Sequence, residues 1–167
     1  MLPALPKGYE VRMPRWEEAR ELRSVGRDSS DRDAQLAPAA ADAWLAMQQA
    51  AKKEHTILLL VSAFRSIAWQ RQLLEEKMAS GVAWAEALSK TAYPGFSEHH
   101  TGRAIDLGAP DKEDLTESFE ATPQFEWLMK NAHRFGFSLT YPRDNPFGIA
   151  YEPWHWCFSP EPRSQST

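Results

Sequence analysis

Residues 97–108 read SEHHTGRAIDLG, a polar run with two adjacent histidines and a glycine that passes into an apolar segment carrying one aspartate. Gly102 permits a tight bend, and RAIDL resumes as a strand. A chain that folds back this way can aim an imidazole and a carboxylate at one point, bringing His99 or His100 to Asp106. In an extended segment adjacent side chains face opposite sides, so only one of the two histidines joins Asp106, and composition does not choose between them.

Working outward, Ala40, Ala43, Trp44, Met47, Ala50 and Ala51 recur at helical spacing behind Pro38, which suits a first turn, and predict a helix over 38–54. TILLLVSAF (56–64) is short, apolar and branched enough for a buried strand. A second helix is expected from about Ile67 through Met78, ending near Gly81, and a third in GVAWAEALSK (81–90). AYPGFS (92–97) reads as a turn. Thr122 suits an N-cap with Pro123 at the first helical position, and Gly136 a left-handed C-cap for 123–135. GFSLTYP (136–142), GIAYEPW (148–154) and HWCFS (155–159) read as short strands. Helices early and strands late favour an α+β fold, a small and mostly antiparallel sheet with helices packed on one side.

The chain has 167 residues, enough for one domain with a substantial core and too few for two ordinary ones. The expected core runs over about 36–160; residues 1–35, with the charged stretch RSVGRDSSDRD (23–33), are expected to be partly irregular, and the tail 161–167 flexible. A formal net charge of -4 argues against a nucleic-acid binder, which would need a concentrated basic face. One cysteine, Cys157, cannot form an internal disulfide, and nowhere do 18 apolar residues run consecutively, so no membrane association is expected. The start MLPALPKGYE lacks a basic region followed by a long apolar one, which predicts a cytoplasmic protein, or a periplasmic one if a signal peptide has been removed.

Zinc catalysis requires three ligands from His, Asp, Glu and Cys and one coordination position left for water. SEHHTGRAID supplies two, and EPWHW (152–156) supplies the rest. Pro153 disturbs the regular strand ladder, so Glu152 and His155 can converge without being equivalent: His155 is the third ligand, and Glu152 the carboxylate that takes a proton from water. Cys157 as a fourth ligand would close the site, so it reads as a small buried residue. Trp127 and Trp156 read as packing, while Trp154, next to the ligands, reads equally well as a cleft wall.

SEHHTGRAIDLG resembles the S-x-H-x-x-G-x-A-x-D signature of the D-alanyl-D-alanine metallopeptidases, and YEPWHW their E-x-x-H element, in the VanY-type branch of the wider LAS group (lysostaphin, D-Ala-D-Ala peptidases, sonic hedgehog). SAFRSIAWQ (62–70) is similar to the family's S-G-Y-R-S-x-x-x-Q, with Ala63 and Phe64 in the glycine and tyrosine positions. The resemblance implies the LAS/hedgehog-like fold, one Zn2+ held by His99, Asp106 and His155, and Glu152 as general base. It further implies that Arg65 faces the scissile carbonyl and that Gln70 and Ser97 contact substrate. The implied substrate is a peptidoglycan stem peptide or muropeptide losing a C-terminal D-amino acid, with L,D cleavage (tetrapeptide to tripeptide) favoured over D,D, and the enzyme is expected to be a monomer. Endolysin-like endopeptidases and non-catalytic hedgehog-like domains share the metal site. The first usually carries a wall-binding module, of which no repeat or basic patch gives a sign, and the joint presence of Glu152 and Arg65 argues against the second.

Overall fold

A computed structural model describes residues 1–160; the tail 161–167, expected to be flexible, lies outside the described residues. Four strands form the central sheet: β3 (Leu59–Ser62), β4 (Ala104–Gly108), β5 (Phe137–Leu139) and β6 (His155–Phe158), in the order β3-β4-β6-β5 with every neighbour antiparallel. A separate hairpin pairs β1 (Arg23–Arg27) with β2 (Asp33–Leu36). The helices are α1 (Tyr9–Arg12), α2 (Pro38–Lys53), α3 (Ile67–Ala79), α4 (Trp84–Lys90) and α5 (Pro123–Asn131). This is the α+β arrangement with a small antiparallel sheet that the sequence predicts.

Period-two alternation sorts the sheet into two faces. Leu60, Ile105, Leu107, Phe137 and Trp156 pack against Ala40, Trp44, Met47 and Ala51 of α2 and against Trp127 and Leu128 of α5. A fully buried side chain of this kind contributes about 1.5–3 kcal/mol, so this one cluster anchors the sheet. Asp106 and His155 alternate with these residues and fall on the opposite face. A second cluster joins Tyr9 and Met13 to Leu74 of α3, Ala87 and Leu88 of α4, Phe96, Tyr141 and Ile149, and builds the far wall of the cleft above that face.

The local signals hold at helix ends. The Ser66 hydroxyl accepts from Trp69 N–H and starts α3, and the Thr122 hydroxyl accepts from Phe125 N–H and starts α5. Gly136 takes φ 82 and stops the single 3₁₀ turn, Ala132–Phe135, that extends α5.

Three expectations fail. RSVGRDSSDRD is the β1–β2 hairpin rather than an irregular segment: Asp28 accepts from Ser30 N–H, Arg32 N–H and the Arg32 guanidinium, closing a turn that charge content alone had disguised. GIAYEPW forms no strand, because its backbone bonds go to scattered partners, Ala150 N–H to Ser89 O and Glu152 N–H to Tyr141 O, while Asn145 Nδ2 holds Ile149 O. Helices and strands are also interleaved along the chain, since β1, β2 and β3 precede α3 and α5 follows β4.

Candidate active site

Asp106 and His155 are direct cross-strand partners on β4 and β6, so the ladder itself brings them together. The turn before β4 supplies the second imidazole. Ser97 Oγ accepts from His99 N–H at 3.3 Å and caps a 3₁₀ turn over Glu98–Thr101, which Gly102 ends at φ 68. The adjacent histidines therefore leave a tight turn rather than an extended strand, and both are buried. A Cβ on Gly102 would lie 2.8 Å from the Ala37 backbone nitrogen, whose N–H bonds Gly102 O at 2.9 Å, so α2 packs tightly against the turn. Glu152 and His155 sit at the two ends of a turn through Pro153 and Trp154, closed by His155 N–H to Glu152 O at 3.2 Å.

The two histidines diverge in role. His99 Nδ1 lies 2.7 Å from Ala63 O and must donate to it, which leaves Nε2 as a bare lone pair, 3.2 Å from Asp106 Oδ2 and with no hydrogen-bond partner despite being buried. Burial first, then the Arg65 cation, pushes the His99 pKa down to about 4, so the ring is neutral. His100 Nδ1 is 2.7 Å from Arg65 O and its Nε2 accepts Gly95 N–H at 3.1 Å. Both of its nitrogens are committed to backbone, and it stands outside the cluster.

His155 Nδ1 is 3.0 Å from Asp106 Oδ1, and its Nε2 is 2.9 Å from Glu98 Oε2. Burial alone would lower its pKa, but the hydrogen bonds to Asp106 and Glu98 outweigh burial and carry it up to about 10. Asp106 behaves conversely: burial raises its pKa, and His99 and His155 override that and hold the carboxyl well below its usual range. Tyr141 stacks on the His155 ring with centroids 4.8 Å apart.

One ligand atom from each of His99, Asp106 and His155 can be chosen so that all lie within 4.8 Å of one another. A neutral, partnerless imidazole nitrogen, an ionised carboxylate and a second imidazole whose outer nitrogen is held by Glu98 form a donor set that fits zinc, with the outer hydrogen bonds such sites normally carry. Glu152 Oε2 lies 3.9 Å from His155 Nδ1, beside this set rather than in it. Burial raises the Glu152 pKa to about 7, with Asp106 adding to the rise and His155 opposing it. An acid that titrates near neutrality is suited to exchange protons with a substrate.

Arg65 completes the cluster from the β3–α3 loop, with Nη2 3.8 Å from Asp106 Oδ2 and a buried Nε that has no partner. Burial lowers its pKa, against the pull of Asp106 and Glu152. All of these side chains line a cleft of about 600 Å3.

A family model described as VanY, D-alanyl-D-alanine carboxypeptidase, matches residues 33–161. The chain belongs to this family. Among VanY-related proteins it is 35% identical over 142 residues to VanXYC of Enterococcus gallinarum, a bifunctional D-Ala-D-Ala dipeptidase and carboxypeptidase, covering 81% of this chain and 73% of that one. It is 38% identical over 119 residues to YodJ of Bacillus subtilis and 32% identical over 119 residues to an Enterococcus faecalis D-alanyl-D-alanine carboxypeptidase. Those alignments cover 70% and 65% of this chain, but the chain spans only 43% and 42% of those two relatives. Among solved structures, the LdcB LD-carboxypeptidase superposes with a TM-score of 0.74 at 32% identity, covering 84% of this chain and 69% of that one. VanYB in complex with D-alanine-D-alanine gives 0.66 at 28%, covering 87% and 79%. A VanY D,D-pentapeptidase variant in complex with Zn(II) gives 0.64 at 26%, covering 83% and 78%.

The structure thus brings His99, Asp106, His155, Glu152, Arg65, Gln70, Ser97 and Trp154 to one cleft. Gln70 is buried, its Nε2 donating to Ala92 O at 2.8 Å while Oε1 has no partner, and Ser97 and Trp154 line the wall. Trp127 and Trp156 are packing residues whose indoles donate to Glu54 and Pro153 O. Cys157 is buried and outside the ligand set. Sequence reasoning missed Glu98 and Tyr141, which hold and cover His155. Glu98 was legible only as the variable residue between Ser97 and His99, and Tyr141 carried no motif at all.

Proposed function

We propose that this chain is a zinc-dependent carboxypeptidase that removes the C-terminal D-amino acid from peptidoglycan stem peptides, with the L,D reaction, tetrapeptide to tripeptide, preferred. The observation that carries the reading is the buried His99, Asp106 and His155 cluster, with the unspent Nε2 of His99 and an acid of pKa about 7 beside it. LdcB, the LD-carboxypeptidase that superposes over 84% of the chain at 32% identity, supports the L,D preference.

Zinc in this cluster would supply Lewis acidity to a water and to the scissile carbonyl. The protein does the rest. Glu152 takes a proton from the attacking water and returns it to the departing amine, a role for which its position near neutrality is suited. Arg65 stabilises charge on the carbonyl oxygen, a contribution whose loss typically costs about 100- to 1000-fold in turnover. The free Oε1 of Gln70 can accept from a peptide N–H. Glu98 and Ala63 O accept from Nε2 of His155 and Nδ1 of His99, so Nδ1 of His155, once its proton is released, and Nε2 of His99 would be the atoms that hold the ion.

Incubating zinc-loaded protein and its Glu152→Ala variant with defined tetra- and pentapeptide muropeptides, with products identified by mass, tests the proposal. Release of D-alanine from the tetrapeptide, lost in the variant, is the expected result. Cleavage of pentapeptide alone would overturn the L,D preference, and mid-stem fragments would overturn the carboxypeptidase reading.

A further inference from the structure

At the α3–α4 side of the cleft, Gln70, Leu73 and Lys77 share one face of α3 at positions i, i+3 and i+7, and Lys90 and Thr91 close the corner from the end of α4. The two lysines are not equivalent. Lys90 is already paired with Glu86 at 2.9 Å, with both side chains more than half exposed. Lys77 is half-buried, donates to Thr91 Oγ1 at 2.5 Å, and has no carboxylate partner among the described residues. Partly burying an ammonium without a counter-ion is unfavourable, and lysines are seldom held this way unless something else completes the site. Burial is accordingly the main cause that lowers the Lys77 pKa; the Arg65 cation adds to it and the Glu152 carboxylate opposes it, so the amine lies within electrostatic reach of both catalytic groups.

We propose that Lys77, steadied by Thr91, is the subsite for the free α-carboxylate of the residue that is released, and that this ion pair makes the cleft selective for the end of a peptide. The proposal rests on the carboxypeptidase reading and deepens it. In the leaving residue the carboxylate carbon is bonded to the same Cα as the leaving nitrogen, so a carboxylate receptor must stand a few ångströms from the base that protonates that nitrogen. Thr91 uses its hydroxyl to fix the amine, leaving two N–H groups of Lys77 for two carboxylate oxygens. A carboxylate bound here also supplies the counter-ion that the fold withholds. Stem peptides carry side-chain carboxylates as well; a C-terminal amide separates the two sources.

The experiment uses the zinc-loaded protein, as wild type, Lys77→Met and Lys77→Arg, with a tetrapeptide free acid and its C-terminal amide. Wild type should prefer the acid. Lys77→Met should lose about 10- to 100-fold in kcat/KM on the acid, mainly through KM, and little on the amide, so the preference collapses; Lys77→Arg should restore part of it. Equal losses on acid and amide, or no loss on either, overturn the subsite. Calorimetric titration with N-acetyl-D-alanyl-D-alanine and its amide reads the same subsite without turnover: the acid should bind wild type more tightly, and Lys77→Met should erase the difference. If wild type hydrolyses neither peptide yet shows that binding difference, the carboxypeptidase reading fails and the subsite stands. If hydrolysis is normal and Lys77→Met is silent in both assays, the subsite alone fails. Unchanged melting of the variants shows that α3 is intact.

Discussion

Replacing Glu152 by glutamine should make the metal-free protein more stable while disabling the loaded one. Glu152 is buried, and burial holds its carboxyl at about 7 against an ordinary 4.5. A carboxyl whose folded pKa lies above its unfolded value binds protons more strongly in the folded state. Its neutral form is favoured on folding, so stability is greatest below about pH 4.5, falls as pH rises through the window to about 7, and is level above it. At pH 8 the ionised side chain costs the folded state about 3 kcal/mol, from 1.36 kcal/mol for each pH unit between 4.5 and 7.

A glutamine never ionises and escapes that cost, although its amide must still find partners, so a net gain of about 1–3 kcal/mol is expected at pH 8. For a chain of this length that is roughly 2–12 °C in melting temperature. Urea unfolding of chelator-treated wild type and Glu152→Gln at pH 5 and pH 8 measures it: the two should be close at pH 5 and diverge at pH 8, with the variant ahead. A variant equal to or weaker than wild type at pH 8, or a gap that does not change between the two pH values, would refute the argument. With zinc restored, the same variant should keep its metal and lose about 100- to 10,000-fold in kcat, because in the proposed mechanism the residue moves protons and does not coordinate.

His100→Phe removes the donor to Arg65 O and the acceptor for Gly95 N–H inside the core; a loss of about 2–4 kcal/mol by denaturant unfolding is expected, with zinc content unchanged. Gly102→Ala forces a side chain into φ 68 and against the Ala37 nitrogen, so it should destabilise the protein by about 1–3 kcal/mol and weaken zinc binding in a chelator competition. Glu98→Gln keeps a hydrogen-bonding group but removes the charge facing His155, so the pKa of that ring in chelated protein, about 10 in wild type, should fall by at least one unit in an NMR titration.

Much of the fold was legible because its signals are local. Pro38, Thr122 with Pro123, and Gly136 mark element ends through side-chain bonds or backbone angles that operate within four residues, and the structure uses all of them, while the Ser66 cap of α3 was not singled out. The apolar run at 56–64 was readable as a strand for the same reason, although only Leu59–Ser62 pairs. The β1–β2 hairpin escaped because β1 is almost wholly exposed and β2 gives the core only Ala34 and Leu36, too short an alternation to announce a strand; Asp28, which bonds to Ser30 and Arg32, carries the turn. GIAYEPW misled in the opposite direction, since Ile149 and Tyr151 alternate as in a strand while the backbone between them serves the cleft wall.

The site divides along the same line. Residues to which the proposed reaction gives a direct chemical task, His99, Asp106, His155, Glu152 and Arg65, stand in short patterns that can be read without coordinates. Those that tune the task cannot be read so, because their partners are remote in sequence: Glu98 reaches His155 across 57 residues, Ala63 O reaches His99 across 36, and His100 grips the Arg65 carbonyl across 35. The contact of Glu98 with His155, and the pairing of His155 with Asp106, exist only once β4 and β6 are in register, since a one-residue slip of either strand would turn its site residue toward the apolar layer. The hydrophobic face formed by Ile105, Leu107 and Trp156 against α2 therefore fixes the chemistry on the other side of the sheet: packing selects the register, and the register selects which side chains meet in the cleft.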